Sequence, residues 1–171
     1  MAIEGFTEYA KEDREKYNRL RWWLGLTWGD LFDKATDIYP DKIGLVDGTG
    51  RWTYGELREK VDRLAISLMK RGIKPKDWVL LQFPNWYEYI VSFFAMQKIG
   101  ALTLLLIPRH NQSEINHLCA LTKPVAWMVP KQFGKIDYEP IIADVLKENP
   151  QIENIIQVRT NRGGNTLLLM N

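Results

Sequence analysis

Apolar positions along the chain change their period several times, and each change marks an element. Leu57, Val61, Leu64, Ala65, Leu68 and Met69 form one stripe at helical spacing. Thr53 and Glu56 stand before it at capping-box spacing, Gly72 follows as a C-cap, and Pro75 blocks a restart. A helix is therefore predicted over about 53–71. The next run, Trp78 to Phe83, is apolar without alternation and is closed by Pro84 and Asn85, which reads as a strand buried on both faces. Residues 86–98 are apolar nearly all round and read as a buried helix, and 101–107 read as a second buried strand stopped by Pro108. Asn111 and Glu114 repeat the capping spacing ahead of Ile115, Leu118 and Cys119. A third strand over 125–129, a helix over 137–148 showing Ile141, Ile142, Val145 and Leu146, and a fourth strand over 152–158 complete the series.

Strand and helix alternate with connections too long for hairpins. The fold class is α/β, a mostly parallel sheet with right-handed crossovers and helices on both faces. Ahead of it lie a helix near 28–38, a strand at 43–46, and an Asp47-Gly48-Thr49-Gly50 turn that suits a hairpin onto Arg51–Thr53. The chain divides into an N-terminal arm (1–26), an α/β subdomain (27–160) and a tail (161–171). In the tail, Asn161–Asn165 reads as a loop and Thr166–Met170 as the start of a further strand. A sheet still growing there is expected of a fragment, and an open sheet edge would favour self-association.

Composition narrows the picture only where it excludes something. The chain has 171 residues, a net charge of +2 and charges that alternate in sign through 51–77, which leaves no nucleic-acid footprint. Cys119 is the single cysteine, so no internal disulfide can form, and a cytoplasmic location is expected. The stretch from Trp86 to Ile107 is interrupted by Glu88, Gln97, Lys98 and Gly100, short of the about 20 apolar residues that a membrane span needs.

Candidate chemistry is sparse. Gly48-Thr49-Gly50 lacks the third glycine of a dinucleotide fingerprint, and Gly163-Gly164-Asn165-Thr166 lacks the lysine of a phosphate loop. Glu114 and His117 are spaced as half of a carboxylate-bridged metal site, but no second copy exists, and an exposed helix face accounts for them better. Cys119 falls on an apolar face and reads as a small core residue. The aromatics Phe6, Tyr9, Tyr17, Trp22 and Trp23 read as an arm packing back on the body, ahead of a peptide or membrane surface. Arg109 and His110 follow Pro108 at the carboxyl end of a parallel strand, the edge where open α/β sheets bind ligands. A guanidinium there suits a phosphate; pairing with a nearby carboxylate is an equal alternative. No catalytic or metal-binding residue is assigned.

Ordered motifs add a resemblance. Arg51-Trp-Thr-Tyr-Gly-Glu-Leu57 resembles the first core motif of adenylate-forming enzymes, Thr/Ser-Tyr-x-Glu-Leu. Gly72-Ile-Lys-Pro-Lys-Asp-Trp-Val79 resembles their Gly-Ile, Gly-Asp-x-Val segment, with Lys76 where Gly is common. Phe83-Pro-Asn85 with Glu88, and Gln97-Lys-Ile-Gly-Ala101, resemble the next two segments, and Tyr39-Pro-Asp41 and Val46-Asp-Gly48 fit the leader. The match runs from about Trp23 to Val158. Trp22-Trp23, Thr27-Trp-Gly-Asp-Leu31 and Pro108-Arg-His-Asn-Gln-Ser-Glu-Ile115 are most similar to aryl-acid activators, the 2,3-dihydroxybenzoate–AMP ligases and benzoate-type CoA ligases.

The resemblance implies a two-step reaction. A carboxylic acid and ATP give acyl-AMP and pyrophosphate, and a thiol, of CoA or of a carrier protein, then takes the acyl group. ATP, Mg²⁺ and CoA are the implied cofactors of a full-length enzyme. The family's phosphate loop (Ser/Thr-Gly-Thr-Thr-Gly-x-Pro-Lys), adenine motif, ribose-binding Asp and lid Lys match no position here, so this chain is expected to be inactive alone and to bind no cofactor tightly. In aryl-CoA ligases a basic residue at this strand end lies near the entry of the CoA nucleotide, which implies a phosphate contact for Arg109 with His110 beside it. Thr53, Tyr54 and Glu56 are assigned to structure. The alternatives are a stand-alone, non-catalytic α/β binding or interaction module and, more remotely, a flavodoxin-like FMN binder.

Overall fold

The computed structural model describes residues 7–159. The expected loop and strand of the tail, and Phe6 of the aromatic group, lie outside the described residues.

Five helices and six strands stand where the residue pattern puts them. Helix α2 (Trp28–Ile38) opens on Thr27, α3 (Tyr54–Lys70) on Thr53 and α5 (Gln112–Thr122) on Asn111. Each has a complete capping box, in which the cap side chain accepts the N3 amide and the N3 carboxylate accepts the cap amide. Helix α3 closes with the Gly72 amide on the Met69 carbonyl and the Ile73 amide on Leu68, with Gly72 at φ +87, a Schellman motif. Strands β1 (Ile43–Asp47) and β2 (Gly50–Thr53) form the expected antiparallel hairpin. Gly44 of β1 lies under the Tyr54 ring, where a Cβ would sit 3.1 Å from it.

The main sheet contains β3 (Trp78–Leu81), β4 (Leu102–Leu105), β5 (Ala126–Pro130) and β8 (Asn154–Val158), all parallel, in the order β4-β3-β5-β8. Helix α4 (Tyr87–Ile99) carries the chain from β3 to β4; α5 returns it past β3 to β5, and α6 (Tyr138–Glu148) continues to β8. Direction across the sheet and the face used reverse together, which keeps the crossovers of one hand. On one face Val79, Leu81, Ala126, Met128, Ile156 and Val158 meet α2, α3 and α4. On the other, Leu80, Trp127 and Val129 meet Ile115, Cys119, Tyr138, Ile142 and Val145 of α5 and α6. Both faces of the inner strands β3 and β5 are thus dry, as a parallel sheet requires, whereas β4, expected as a buried strand, lies at the sheet edge and is only partly covered, with Leu105 49% and Ile107 62% exposed. Lys98 of α4 binds Asp33 of α2 and Asp62 of α3, each at 2.5 Å, and locks three helices of the first face together.

The structure departs from the residue pattern in four further places. Helix α1 (Lys11–Arg19) has no apolar stripe to announce it and buries no residue. Among the described residues the arm's aromatics pack on one another: Tyr17 meets Trp22 at 5.5 Å and Trp23 at 5.1 Å between centroids, and Trp22 stays 67% exposed, where packing back on the body was expected to cover it. A hairpin of β6 (Gln132–Phe133) and β7 (Ile136–Asp137) precedes α6. On α3, Met69 is exposed and Ser67 buried. Lys76 sits at φ +73 with its amide on the Gly100 carbonyl, a left-handed position that explains why glycine suits it.

Candidate functional site

With all four strands parallel, their carboxyl ends share one edge. The chain leaves β3 in one direction and comes back to β5 on its other side, so the strand order reverses between them, the place where open sheets offer a ligand crevice. Gln82 and Trp86 follow β3, the turn Ile107–His110 follows β4, Lys131 follows β5 and Arg159 follows β8.

Arg109 and His110, the two residues singled out from sequence, lie side by side in that turn. The turn is closed by the His110 amide donating to the Ile107 carbonyl at 3.0 Å. Arg109 is exposed and, among the described residues, has no carboxylate partner, so the ion-pair alternative finds no support there. His110 is half-buried, and its Nδ1 is buried without a hydrogen-bond partner among the described residues. From beneath, the Gln82 amide nitrogen donates to Ile107 O at 3.1 Å and reaches His110 O at 3.5 Å, while the Tyr138 hydroxyl donates to Pro108 O at 2.5 Å. Burial pushes the Tyr138 phenol up to about 12, so it remains a protonated donor at neutral pH.

A second polar group at this edge had no sequence signal beyond a glutamate inside an apolar helix. Glu88, in the first turn of α4, is 1% exposed. It accepts both Nε (2.8 Å) and an NH2 group (3.0 Å) of Arg159, whose guanidinium lies 3.6 Å from the centroid of Trp86. The hydrogen bond with Glu88 holds the Arg159 cation above its ordinary value. The pair borders a hollow of about 380 Å³ also lined by Thr49, Trp52, Lys60 and Tyr87. Asp47 anchors the rim: Oδ1 accepts the Thr49 amide and hydroxyl, and Oδ2 accepts the Tyr87 amide at 2.9 Å.

The other sequence candidates are placed elsewhere. Glu114 is committed to capping Asn111, and His117 is exposed on the same helix. Cys119 is fully buried, and burial pushes its thiol up to about 11. Thr53 and Glu56 form the α3 cap, and Tyr54 is half-buried against the hairpin. Among the described residues no group of three or more His, Cys, Asp or Glu side chains is placed to hold a metal ion. No helix of the described residues is long and apolar enough to cross a membrane.

Residues 32–167 match the family described as AMP-binding enzyme. The chain is 34% identical over 154 residues to a 2,3-dihydroxybenzoate-AMP ligase of Bacillus subtilis, a match that covers 90% of this chain and 29% of that protein. It is 29% identical over 159 residues to a salicyl-AMP ligase / salicyl-S-ArCP synthetase of Mycobacterium tuberculosis, covering 90% of this chain and 28% of that one. Among solved structures, the apo structure of Mycobacterium smegmatis MbtA superposes with a TM-score of 0.83 at 27% identity, over 90% of this chain and 28% of the other. The chain thus spans under a third of the length of these relatives.

Proposed function

The chain belongs to the AMP-binding enzyme family, and from that membership we propose that it forms the N-terminal part of an AMP-forming carboxylic acid–thiol ligase acting on an aryl acid. The observation that carries the reading is the 34% identity to a 2,3-dihydroxybenzoate-AMP ligase across 90% of the chain. The enzyme converts the acid and ATP to acyl-AMP and pyrophosphate, then passes the acyl group to CoA or a carrier-protein thiol. The natural setting is the cytoplasm.

Within this division of labour the described residues supply a scaffold and one edge of a binding crevice, and no step through ATP or Mg²⁺ is assigned to them. The absence of any match to the family's phosphate loop supports inactivity of residues 1–171 alone. Arg109 takes the phosphate of the CoA nucleotide: it is a permanent cation, exposed at the carboxyl edge, with a planar fork that matches phosphate oxygens. His110 sits beside it in the same turn.

Aryl-acid-dependent exchange of labelled pyrophosphate into ATP is the test. The enzyme translated from the whole reading frame exchanges, and residues 1–171 alone do not. Exchange by the 171-residue chain, or none by the whole enzyme across a panel of aryl acids, overturns the reading. In the whole enzyme, Arg109→Ala raises the KM for CoA, and an unchanged KM discards the phosphate contact.

A further inference from the structure

We propose that Gln82 and Tyr138 are positioning residues: they hold the Ile107–His110 turn from below and so aim Arg109 at the anionic acceptor. The inference rests on the assignment of Arg109 to the CoA phosphate made above.

A four-residue turn closed by a single backbone bond, at the open edge of a sheet, has little to fix its orientation. Here other elements take three of its carbonyl oxygens, those of Ile107, Pro108 and His110. The donors arrive from different directions. Gln82 extends from the end of β3, whose neighbour β4 feeds the turn, and Tyr138 extends from the start of α6 on the second face of the sheet. Both side chains are 0% exposed. Burying an amide and a phenol is costly unless their polar atoms are paired, and the pairing that the described residues offer is to this turn. The Gln82 Oε1 has no partner among the described residues, so no bond made by that oxygen accounts for keeping an amide here.

The consequence falls on Arg109. Its neighbours in the turn are tied down through their carbonyls while its own side chain is exposed. A guanidinium on a fixed backbone loses less freedom on gripping an anion than one on a mobile loop, and that saving appears as affinity. Gln82 and Tyr138 touch neither acid nor acceptor. Their effect passes through the turn.

The test compares Tyr138→Phe, Gln82→Met, Arg109→Ala and the Tyr138→Phe/Arg109→Ala pair in the whole enzyme, reading the KM for CoA against kcat. Tyr138→Phe removes only a hydroxyl, and the expected result is a rise in KM of about threefold to tenfold, the range of one hydrogen bond's net worth, without a matching loss of kcat. Gln82→Met, which keeps the volume, moves KM the same way. In the Arg109→Ala background Tyr138→Phe adds nothing, because the residue through which it acts is gone. A raised KM for Arg109→Ala together with no effect of Tyr138→Phe and Gln82→Met overturns the positioning role and leaves the Arg109 assignment standing. So does an undiminished Tyr138→Phe effect in the Arg109→Ala background. An unchanged KM for Arg109→Ala overturns both.

Discussion

Replacing Arg159 by Met should destabilise the protein by more than any single contact on its surface can. Glu88 is 1% exposed, and both of its oxygens bond to Arg159, so the substitution strands a buried carboxylate. Removing one partner of a buried pair costs about 3–5 kcal/mol. Two features reduce that figure. The Arg159 side chain is 30% exposed, so water reaches the space it leaves, and Glu88 lies in the first turn of α4, where the helix dipole favours a negative charge. The expected loss is about 2–3 kcal/mol, against a total stability of about 5–15 kcal/mol for a domain. With a urea dependence of about 1–3 kcal/mol per molar, the midpoint falls by about 1–2 M. Urea titration at pH 7 followed by far-ultraviolet circular dichroism reads this directly. The Glu88→Gln/Arg159→Met pair, which removes the stranded charge, should recover part of the loss. A fall of less than about 0.3 M, or a double variant no more stable than Arg159→Met, refutes the argument that the buried Glu88 side chain depends on Arg159 as its partner.

Three further outcomes are expected. Thr53→Ala breaks the α3 capping box and should cost about 1 kcal/mol, or about 3 °C in Tm by calorimetry; no change would mean the cap is redundant. Burial acts to raise the Asp47 carboxyl, but hydrogen bonds from Thr49, Tyr87 and Gly50 outweigh it and hold the group below its ordinary 3.8. A depressed carboxylate stabilises the fold above its unfolded pKa, and the contribution disappears as pH falls through the folded value. Asp47→Asn should therefore lower the urea midpoint at pH 7 and lose less than the parent between pH 7 and pH 3, that is, across about pH 4 and below; equal acid sensitivity would contradict it. Cys119, buried with its thiol pushed up to about 11, should resist a thiol-disulfide reagent at pH 8 and react once the protein is unfolded in guanidinium; rapid reaction of the native protein would show that the α5 face opens.

Much of the fold was legible because its cues are local. The capping boxes at Thr53 and Asn111, the unbroken apolar runs of β3 and β5, and the Asp47–Gly50 turn each place an element within a few residues. Met69 was misplaced for a geometric reason: twelve residues after Leu57 it has drifted about 120° around the helix, to the margin of the apolar stripe. Helix α1 was not legible, since a helix that buries nothing leaves no apolar period to read. Nor was the β6–β7 hairpin, whose strands of two residues are too short to show alternation. At the candidate site, the place of Arg109 and His110 at the carboxyl end of a strand could be read because a proline marks that end. Their supports could not: Gln82 and Tyr138 reach the turn from 25 and 30 residues away, and Glu88 meets Arg159 across 71. Buried polar residues announce themselves in a sequence, but which one will be paired with which is decided by the topology.

That topology also has a temporal reading. Among the described residues, apart from the first strand of each sheet, every strand pairs with one that precedes it: β2 with β1, β4 and β5 with β3, β7 with β6, and β8 with β5. The first parallel strand to be made ends up inside the sheet, and later ones are laid down outward on either side of it. During synthesis at about 5–20 residues per second, each new strand emerges onto an edge that already exists, so the sheet can be assembled in the order in which it is translated.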